Sequence, residues 1–552
     1  MSISNAAISD MFSLLGKLMD IHQENSFKSK SYSSAAFAID KLQVPLTQVS
    51  PEQISTLNGI GVSTASKIIE ILQTGKMQSL EDLIAKTPSG VLDMMQIKGL
   101  GPKKISTIWK EMGIESVGEL LYACNENRLT MYKGFGEKTQ KNVADAIEFI
   151  MRHKGHFLYA EVENYAQHIQ AVLTAQFPAS QLMLAGDYSR QMPTLEELTW
   201  VTDIEKQPLT SWLTLQGFET SNAVEEITTA KGNEGIQLQF IHTAAASFAF
   251  RLFELNADPA FLSAFQQQYP TALQNITKEE DAFQLAGLPY LPPFIRESAE
   301  ALQLTTTDLE QIIKPSDIKG IIHSHSDWSD GSNTIEEMVK ACIAKGYEYL
   351  VISDHSKTAF YANGLTEERV RMQHQYINTL NMQYAPFRVF KSIESDILND
   401  GALDYPDHIL GTFDLVIASV HSNLKMSEEK AMMRLLKAIE NPYTTILGHP
   451  TGRLLLSRNG YPLDHEIIID ACVANNVVIE INAHPRRLDL DWKWIGRAQE
   501  KGAILSINPD AHHVDGYDDV RYGVLAAQKG GLRKTNNLSS WSLENLEKHL
   551  LH

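Results

Sequence analysis

Cysteine is nearly missing from this chain. The three present, Cys124, Cys342 and Cys472, are widely spaced with no C-x-x-C pair. That argues against a disulfide framework or a thiolate zinc site, and fits a reducing cytoplasm. No run of about 18 apolar residues occurs, so no membrane-spanning helix is expected. The first residues lack the basic-then-apolar pattern of a secretory leader. Bulk positive charge is absent too: the formal net charge is −19 over 552 residues. A protein that coats nucleic acid by general attraction is thereby disfavoured. The acidity is uneven, however. Residues 1–155 carry 17 Lys+Arg against 16 Asp+Glu, leaving about −20 on the remainder. A nucleic-acid contact is expected in the first part. The length allows roughly three or four domains of about 150 residues.

What is present begins with glycine-centred turns. Helix-period apolar positions such as Met11, Leu14, Leu15, Leu18 and Ile21 predict a helix over 7–24, and a second is expected over 31–42. Then Leu57-Asn58-Gly59-Ile60-Gly61 runs into a new helix that carries Lys67. The glycines permit positive φ and close approach of a partner, and the free N–H groups opening the second helix suit an anion. A second copy is Ile97-Lys98-Gly99-Leu100-Gly101-Pro102-Lys103-Lys104, and a third, less basic one is Tyr132-Lys133-Gly134-Phe135-Gly136. These resemble helix-hairpin-helix motifs, which bind DNA phosphates without reading bases. The resemblance implies DNA contacts at Gly59, Gly61, Lys67, Lys98, Gly99, Gly101, Lys103 and Lys104. The plainer alternative is a structural helical hairpin, and the third copy is expected to be one.

The middle of the chain holds Leu184-Ala185-Gly186-Asp187-Tyr188-Ser189-Arg190, Leu195-Glu196-Glu197-Leu198-Thr199-Trp200-Val201, Ile236-Gln237-Leu238-Gln239-Phe240, and Gly287-Leu288-Pro289-Tyr290-Leu291-Pro292-Pro293-Phe294. Together with the hairpins, these stretches resemble the palm and thumb of the DNA polymerase X family. In that family a Gly-Ser turn holds the incoming triphosphate and three aspartates hold the catalytic metals. The corresponding positions here are Asp187, Glu197, Thr199 and Gln237. Two-metal nucleotidyl transfer needs anionic oxygens converging on ions about 3.5–4 Å apart, and Thr and Gln are neutral. The palm is expected to be catalytically silent.

From residue 319 onward, strand-like runs near 319–324, 348–353, 388–394, 414–420, 444–448, 477–482 and 503–508 alternate with helical patterns at 334–345, 367–383, 427–440, 464–475, 491–501 and 517–529. Seven βα units in order predict a parallel barrel with its site at the C-terminal strand ends. Ligand-type residues stand there: His323, His325 and Asp330, then His355, Glu394, His421, His449, and finally Asp510 with His512. Thirteen of the 18 histidines follow residue 316. Strand alternation would point His323 and His325 the same way. The pattern resembles the PHP (polymerase and histidinol phosphatase) family, in the form fused to bacterial family X polymerases. That resemblance implies a distorted (β/α)7 barrel with two or three divalent ions. One ion would be held by His323, His325, Glu394 and Asp510. A second would be bridged by Glu394 to His421 and His449, and a third would be held by Asp330, His355 and His512. Imidazole and carboxylate without thiolate suit Zn²⁺ or Mn²⁺. Asp354, Asp396 and Asn482 are expected to orient ligands. Arg453, Arg486 and Arg487 are candidates to hold a phosphate, against the alternative of a solvated surface.

The expected organisation is α-helical hairpin domains at 1–85 and 86–155, an α+β palm at 156–245, a thumb-like region at 246–316, and the barrel at 317–552. The expected function is metal-dependent phosphodiester hydrolysis on gapped, nicked or 3′-ended DNA in bacterial repair. The resemblance implies a 3′–5′ exonuclease or an abasic-site endonuclease, cytoplasmic and associated with the nucleoid. The alternatives are an active gap-filling polymerase, a DNA-binding scaffold with structural metals, and a small-molecule phosphatase.

Overall fold

A computed structural model describes residues 3–125, 129–153, 155–359, 362–456 and 459–550. The chain divides into two compact units at residue 154/155.

The first unit is helical. Its opening helix, Asn5–Ile21, starts where Ser4 Oγ accepts from Ala7 N, as an N-cap serine does. One apolar core runs from Ile8 and Phe12 through Ile68, Met94 and Ile105 to Val143 and Ile147. Both hairpin stretches, around Ile60 and around Leu100, pack on it.

The second unit contains three further layers. The palm sheet comprises β1 (Leu182–Ala185), β2 (Glu197–Thr202), β3 (Glu219–Val224), β4 (Ile227–Lys231) and β5 (Gln237–His242), ordered β1-β2-β5-β4-β3. β2 and β5 run parallel, with Glu197 opposite Gln237 and Thr199 opposite Gln239. The helix Tyr159–Gln176 covers the sheet through Val162, Ala166, Ile169 and Leu173. A small helical region follows, built around Phe253, Phe261, Phe265 and Phe283. Its fully buried Arg296 lies against the rings of Phe253 and Phe283 and bonds Glu279 at 2.6 Å. The charge is paired, as burial requires.

The C-terminal part is a seven-stranded parallel barrel: β6 (Gly320–Ile321), β7 (Tyr349–Ile352), β8 (Arg388–Asp396), β9 (Leu415–Ser419), β10 (Ile446–Leu447), β11 (Val478–Asn482) and β12 (Leu505–Asn508). Spatial order follows chain order. The strands are buried on both faces, which explains their nearly unbroken apolar runs. Ile322, Tyr349, Val351, Phe390, Leu415, Ile417, Ile446 and Val478 fill the interior, where Leu538 and Leu546 join them. At the C-terminal rim the circle closes through a bridge between Ser324 and Ala511. Toward the other end, Leu505 bridges Asn537 and Lys319 N donates to Ser539 O at 2.8 Å, so the C-terminal segment stands in the gap. The outer helices begin on Thr334, Thr366, Ser427, Asp464 and Asp491, each accepting from a first-turn N–H. A filled interior capped at one end leaves the opposite rim as the place for a site.

Candidate metal centre

The strand β6 ends at Ile321, and His323 adopts a left-handed φ of 63°. Strand alternation is therefore not what pairs His323 with His325. The chain turns at His323, and the two rings still meet with centroids 5.3 Å apart. His449 and Asp510 also have positive φ. Such conformations cost about 1–3 kcal/mol each and are kept where the surroundings demand a side-chain direction.

Glu394, buried at the end of β8, is the hub. Its Oε1 lies 3.2 Å from His323 Nε2, 3.1 Å from His421 Nε2 and 3.0 Å from His449 Nε2. Its Oε2 lies 3.0 Å from His355 Nδ1 and 3.7 Å from His325 Nε2. Asp510 Oδ1 reaches His325 Nε2 at 3.0 Å and His323 Nε2 at 3.5 Å. Asp330 Oδ2 sits 3.5 Å from His355 Nε2 and 3.4 Å from His512 Nε2. Ligand atoms converge in three sets: His323, His325, Glu394 and Asp510; His325, Asp330, His355 and His512; and His355, Glu394 and His421. His449 adjoins the last set through Glu394. His325 and His355 each serve two sets. Among the described residues, groups of this kind occur only here. The rim is graded: the side chains of His323 and His325 are 0 % exposed, whereas Asp330 is 30 % and His512 43 % exposed. Solvent reaches the cluster from that last pair. Gly331 lets the Asp330 loop return, because a Cβ there would meet His325 O at 2.1 Å.

The electrostatics are those of a site built around positive charge. Burial alone would neutralise these groups. For His355, burial is outweighed by Glu394 and Asp330, and its pKa rises to about 10. For His421, Glu394 and Asp396 outweigh burial and raise it to about 9. Burial dominates at His325, and with His355 and His512 beside it the value falls to about 3. Glu394 and Asp510 are held well below the carboxylate range, because neighbouring imidazoles overcome the effect of burial. The donor set fits divalent cations on a direct observation. His325 Nδ1 and His449 Nδ1 are buried without a hydrogen-bond partner, and His323 Nε2 and Glu394 Oε2 have close ion-pair neighbours but no hydrogen bond, an arrangement too costly to keep unless something else binds them.

Three carboxylates orient this cluster. Asp354 accepts from Ser326 N at 2.8 Å, Ser326 Oγ at 2.6 Å, Ser329 Oγ at 2.5 Å and Gln373 Nε2 at 2.6 Å, fixing the loop that carries Asp330. Asp396 accepts from His421 Nδ1 and from Thr358 Oγ1. The third, Glu480, escaped the reading of the sequence, although Asn482, two residues on and on the same strand face, did not. Its signal was a lone carboxylate inside Val477-Val478-Ile479-Glu480-Ile481.

The three arginines separate. Arg453 spends its guanidinium on the carbonyls of Arg487 and Leu488 and on Asp491, so it braces the 487–491 loop and has no fork left for a phosphate. Arg486 pairs with Glu161 of the palm helix at 3.0 Å. Arg487 stays at the rim, its Nε 3.7 Å from Asp510 Oδ2.

In the palm, Glu197, Thr199 and Gln237 do share one place. Glu197 Oε2 accepts from Gln237 Nε2 and Gln239 Nε2, both at 3.2 Å, and Oε1 accepts from Thr199 Oγ1 at 3.4 Å. Burial raises the Glu197 pKa despite these bonds. Asp187 is turned toward Arg190 at 3.4 Å. Arg190 is otherwise clasped by Glu297, at 2.8 and 2.6 Å, and by Asp258 at 3.2 Å. Glu297 in turn takes Lys529 from the barrel at 2.5 Å.

In the first unit, Gly59, Gly99 and Gly134 have φ of 80°, 93° and 94°. Each of the three turns closes with the same bond, Ile60 N to Leu57 O, Leu100 N to Ile97 O and Phe135 N to Tyr132 O. Gly61 and Gly101 cap the following helices, and all four glycines of the first two turns are exposed. Lys98 and Lys103 are exposed, Lys67 donates to Ser79 Oγ, and Lys104 donates to Gly99 O.

Comparison with known proteins agrees with this geometry. Residues 3–77 match a helix-hairpin-helix domain, 91–148 a SAM-like helix-hairpin-helix tandem, and 322–484 the PHP domain. The DNA polymerase/3′-5′ exonuclease PolX of Bacillus subtilis is 33% identical over 560 residues, covering 96% of both chains. A probable phosphatase of Caldanaerobacter subterraneus is 29% identical over 205 residues, 34% of this chain and 74% of its own. One from Acetivibrio thermocellus is 31% identical over 172 residues, 29% of this chain and 64% of its own. Among the described residues no helix is long and apolar enough to cross a membrane. Matched nearly end to end by that Bacillus subtilis relative, and with its histidine-lined barrel matching the PHP domain, the chain belongs to the DNA polymerase X family, in the form that carries a PHP domain.

Proposed function

We propose that the protein hydrolyses phosphodiester bonds of DNA at the barrel rim, and that its palm no longer polymerises. The observation that carries this is the contrast in donors: eight ligand-type residues converge at the rim and His449 joins them through Glu394, against one carboxylate among amides and a hydroxyl in the palm. His323, His325, Asp330, His355, Glu394, His421, His449, Asp510 and His512 would hold two or three ions, Zn²⁺ or Mn²⁺. Bound there, such ions supply Lewis-acid stabilisation of phosphate charge and acidify water. The chain's own residues do the rest. Glu394 and Asp510 keep a negative floor under the site, Asp354 and Asp396 hold loop and imidazole in place, and Arg487 offers a donor to the phosphate at the open side. The exposed hairpin glycines, with Lys98 and Lys103, would grip DNA backbone. The name carried by the Bacillus subtilis relative supports 3′–5′ exonuclease action, and the substrates would be gapped, nicked or 3′-ended DNA. The setting would be the nucleoid of a bacterial cytoplasm.

The test has two arms on the full-length chain. End-labelled DNA should be shortened from its 3′ end with Mn²⁺ or Zn²⁺, and not with chelator. Gapped DNA with four nucleotides should show no primer extension. Extension by the wild-type chain would return the palm to service and sink that half of the proposal.

A further inference from the structure

Glu480 lies in the middle of β11, fully buried, where a charge must be compensated on every side. It is: Oε2 accepts from His323 Nδ1 at 2.6 Å and Asn508 Nδ2 at 2.8 Å, and Oε1 accepts from His449 N at 3.0 Å and Asn482 Nδ2 at 3.1 Å. Four donors from four strand ends meet one carboxylate that is not itself among the converging ligand atoms. Two of those donors belong to the residues with left-handed backbone, His323 and His449.

We propose that Glu480 is the positioning residue of the deepest ion site, fixing the tautomer of His323 and the backbone of His449. This rests on the metal-centre reading above. A proton held on Nδ1 by Glu480 leaves the lone pair on Nε2, the atom that faces Glu394 and Asp510 and has no hydrogen-bond partner. The pull on His449 N aims its ring so that Nε2 meets Glu394. A neutral amide cannot repeat this. Gln offers one acceptor oxygen, and its NH₂ would face either His323 Nδ1–H or His449 N–H, donor against donor. If it faces His323, the ring must move its proton to Nε2 and lose the ligand atom.

The test compares the wild-type chain, Glu480→Gln and His323→Ala by competing Mn²⁺ and Co²⁺ against a chromophoric chelator, with ions counted by mass spectrometry. Glu480→Gln should weaken one ion about 10- to 100-fold, as His323→Ala should, and leave the ion near Asp330, His355 and His512 in place. Its Co²⁺ absorption bands should shift while its melting curve stays close to wild type. If Glu480→Gln does not fold, Asn508→Ala, which removes one donor and keeps the carboxylate, should weaken the same ion. Wild-type affinity in the folded variant, or in Asn508→Ala, overturns the role of Glu480. A wild-type chain that takes up no ion overturns the metal centre itself, a different result.

Discussion

The palm sheet and the barrel rim both gather polar side chains from neighbouring parallel strands. In the palm, Thr199, Gln237 and Gln239 all donate to Glu197, so the single carboxylate already accepts three bonds. At the rim, imidazole and carboxylate atoms crowd toward Glu394, and several of the buried nitrogens and one oxygen make no hydrogen bond. Residues that satisfy one another make structure. Residues left wanting toward a common point make a site, because the unmet bonds are the free energy available to a ligand. The palm's Arg190 tells the same story, since Glu297 and Asp258 have already taken its fork.

The sharpest way to break this contrast is to remove the hub. Glu394→Ala should lower Mn²⁺-dependent phosphodiesterase activity by about 10³-fold or more, since residues acting as one unit fail together. DNA affinity in a gel-shift assay should hold within about twofold, because base-independent binding comes from phosphate contacts. Retained hydrolysis would mean that the rim is ornamental.

A middle-sized effect belongs to the hairpins. Replacing Lys98 and Lys103 by Ala should weaken DNA binding about fivefold per lysine at ~0.15 M salt, and flatten the slope of log affinity on log salt by about 0.9 each. Hydrolysis of a small phosphodiester should not change. An unaltered slope would assign the hairpins to structure.

The smallest effects are expected in the palm. Glu197→Gln should leave exonuclease rates within about twofold of wild type, because the proposal gives the palm no part in hydrolysis. It should not lower the melting temperature at pH 7. The sign follows from the raised pKa of Glu197. A carboxyl raised in the folded state adds stability below its unfolded value of 4.5, and that contribution is lost as pH climbs through the folded value. At pH 7 ionised Glu197 therefore costs stability, and Gln removes the cost. A marked drop in melting temperature at pH 7 would show a charge in use. Arg453→Lys should likewise spare the phosphate chemistry, and register as a modest loss of thermal stability in the 487–491 loop.

Much of this was legible in the residues. Six of the seven strands fall where apolar runs lead into His, Asp or Glu, the other ends in Asn482, and the outer helices fall where Ser, Thr or Asp opens a periodic stretch. The resemblance to the family palm picked out Glu197, Thr199 and Gln237, and the register of β2 with β5 brings Gln237 beside the other two. Other features left no local trace. His323 breaks from its strand, and His325 and His355 are shared between sets. Arg453 looks the same as Arg487 in the sequence, yet one braces a loop and the other stands at the rim. Glu480 hides in an apolar strand because its four partners come from elsewhere in the chain.

By itself, the order of residues determined the kinds of element, the ligand types at strand ends and the loss of charge in the palm. Those are properties of short stretches, set by periodicity, turn chemistry and side-chain charge. Only the tertiary structure decided which atoms meet, which meetings are satisfied and which are left open. Hydrogen bonds between residues more than a hundred positions apart depend on how the barrel closes, and that closure is made by all seven strands together.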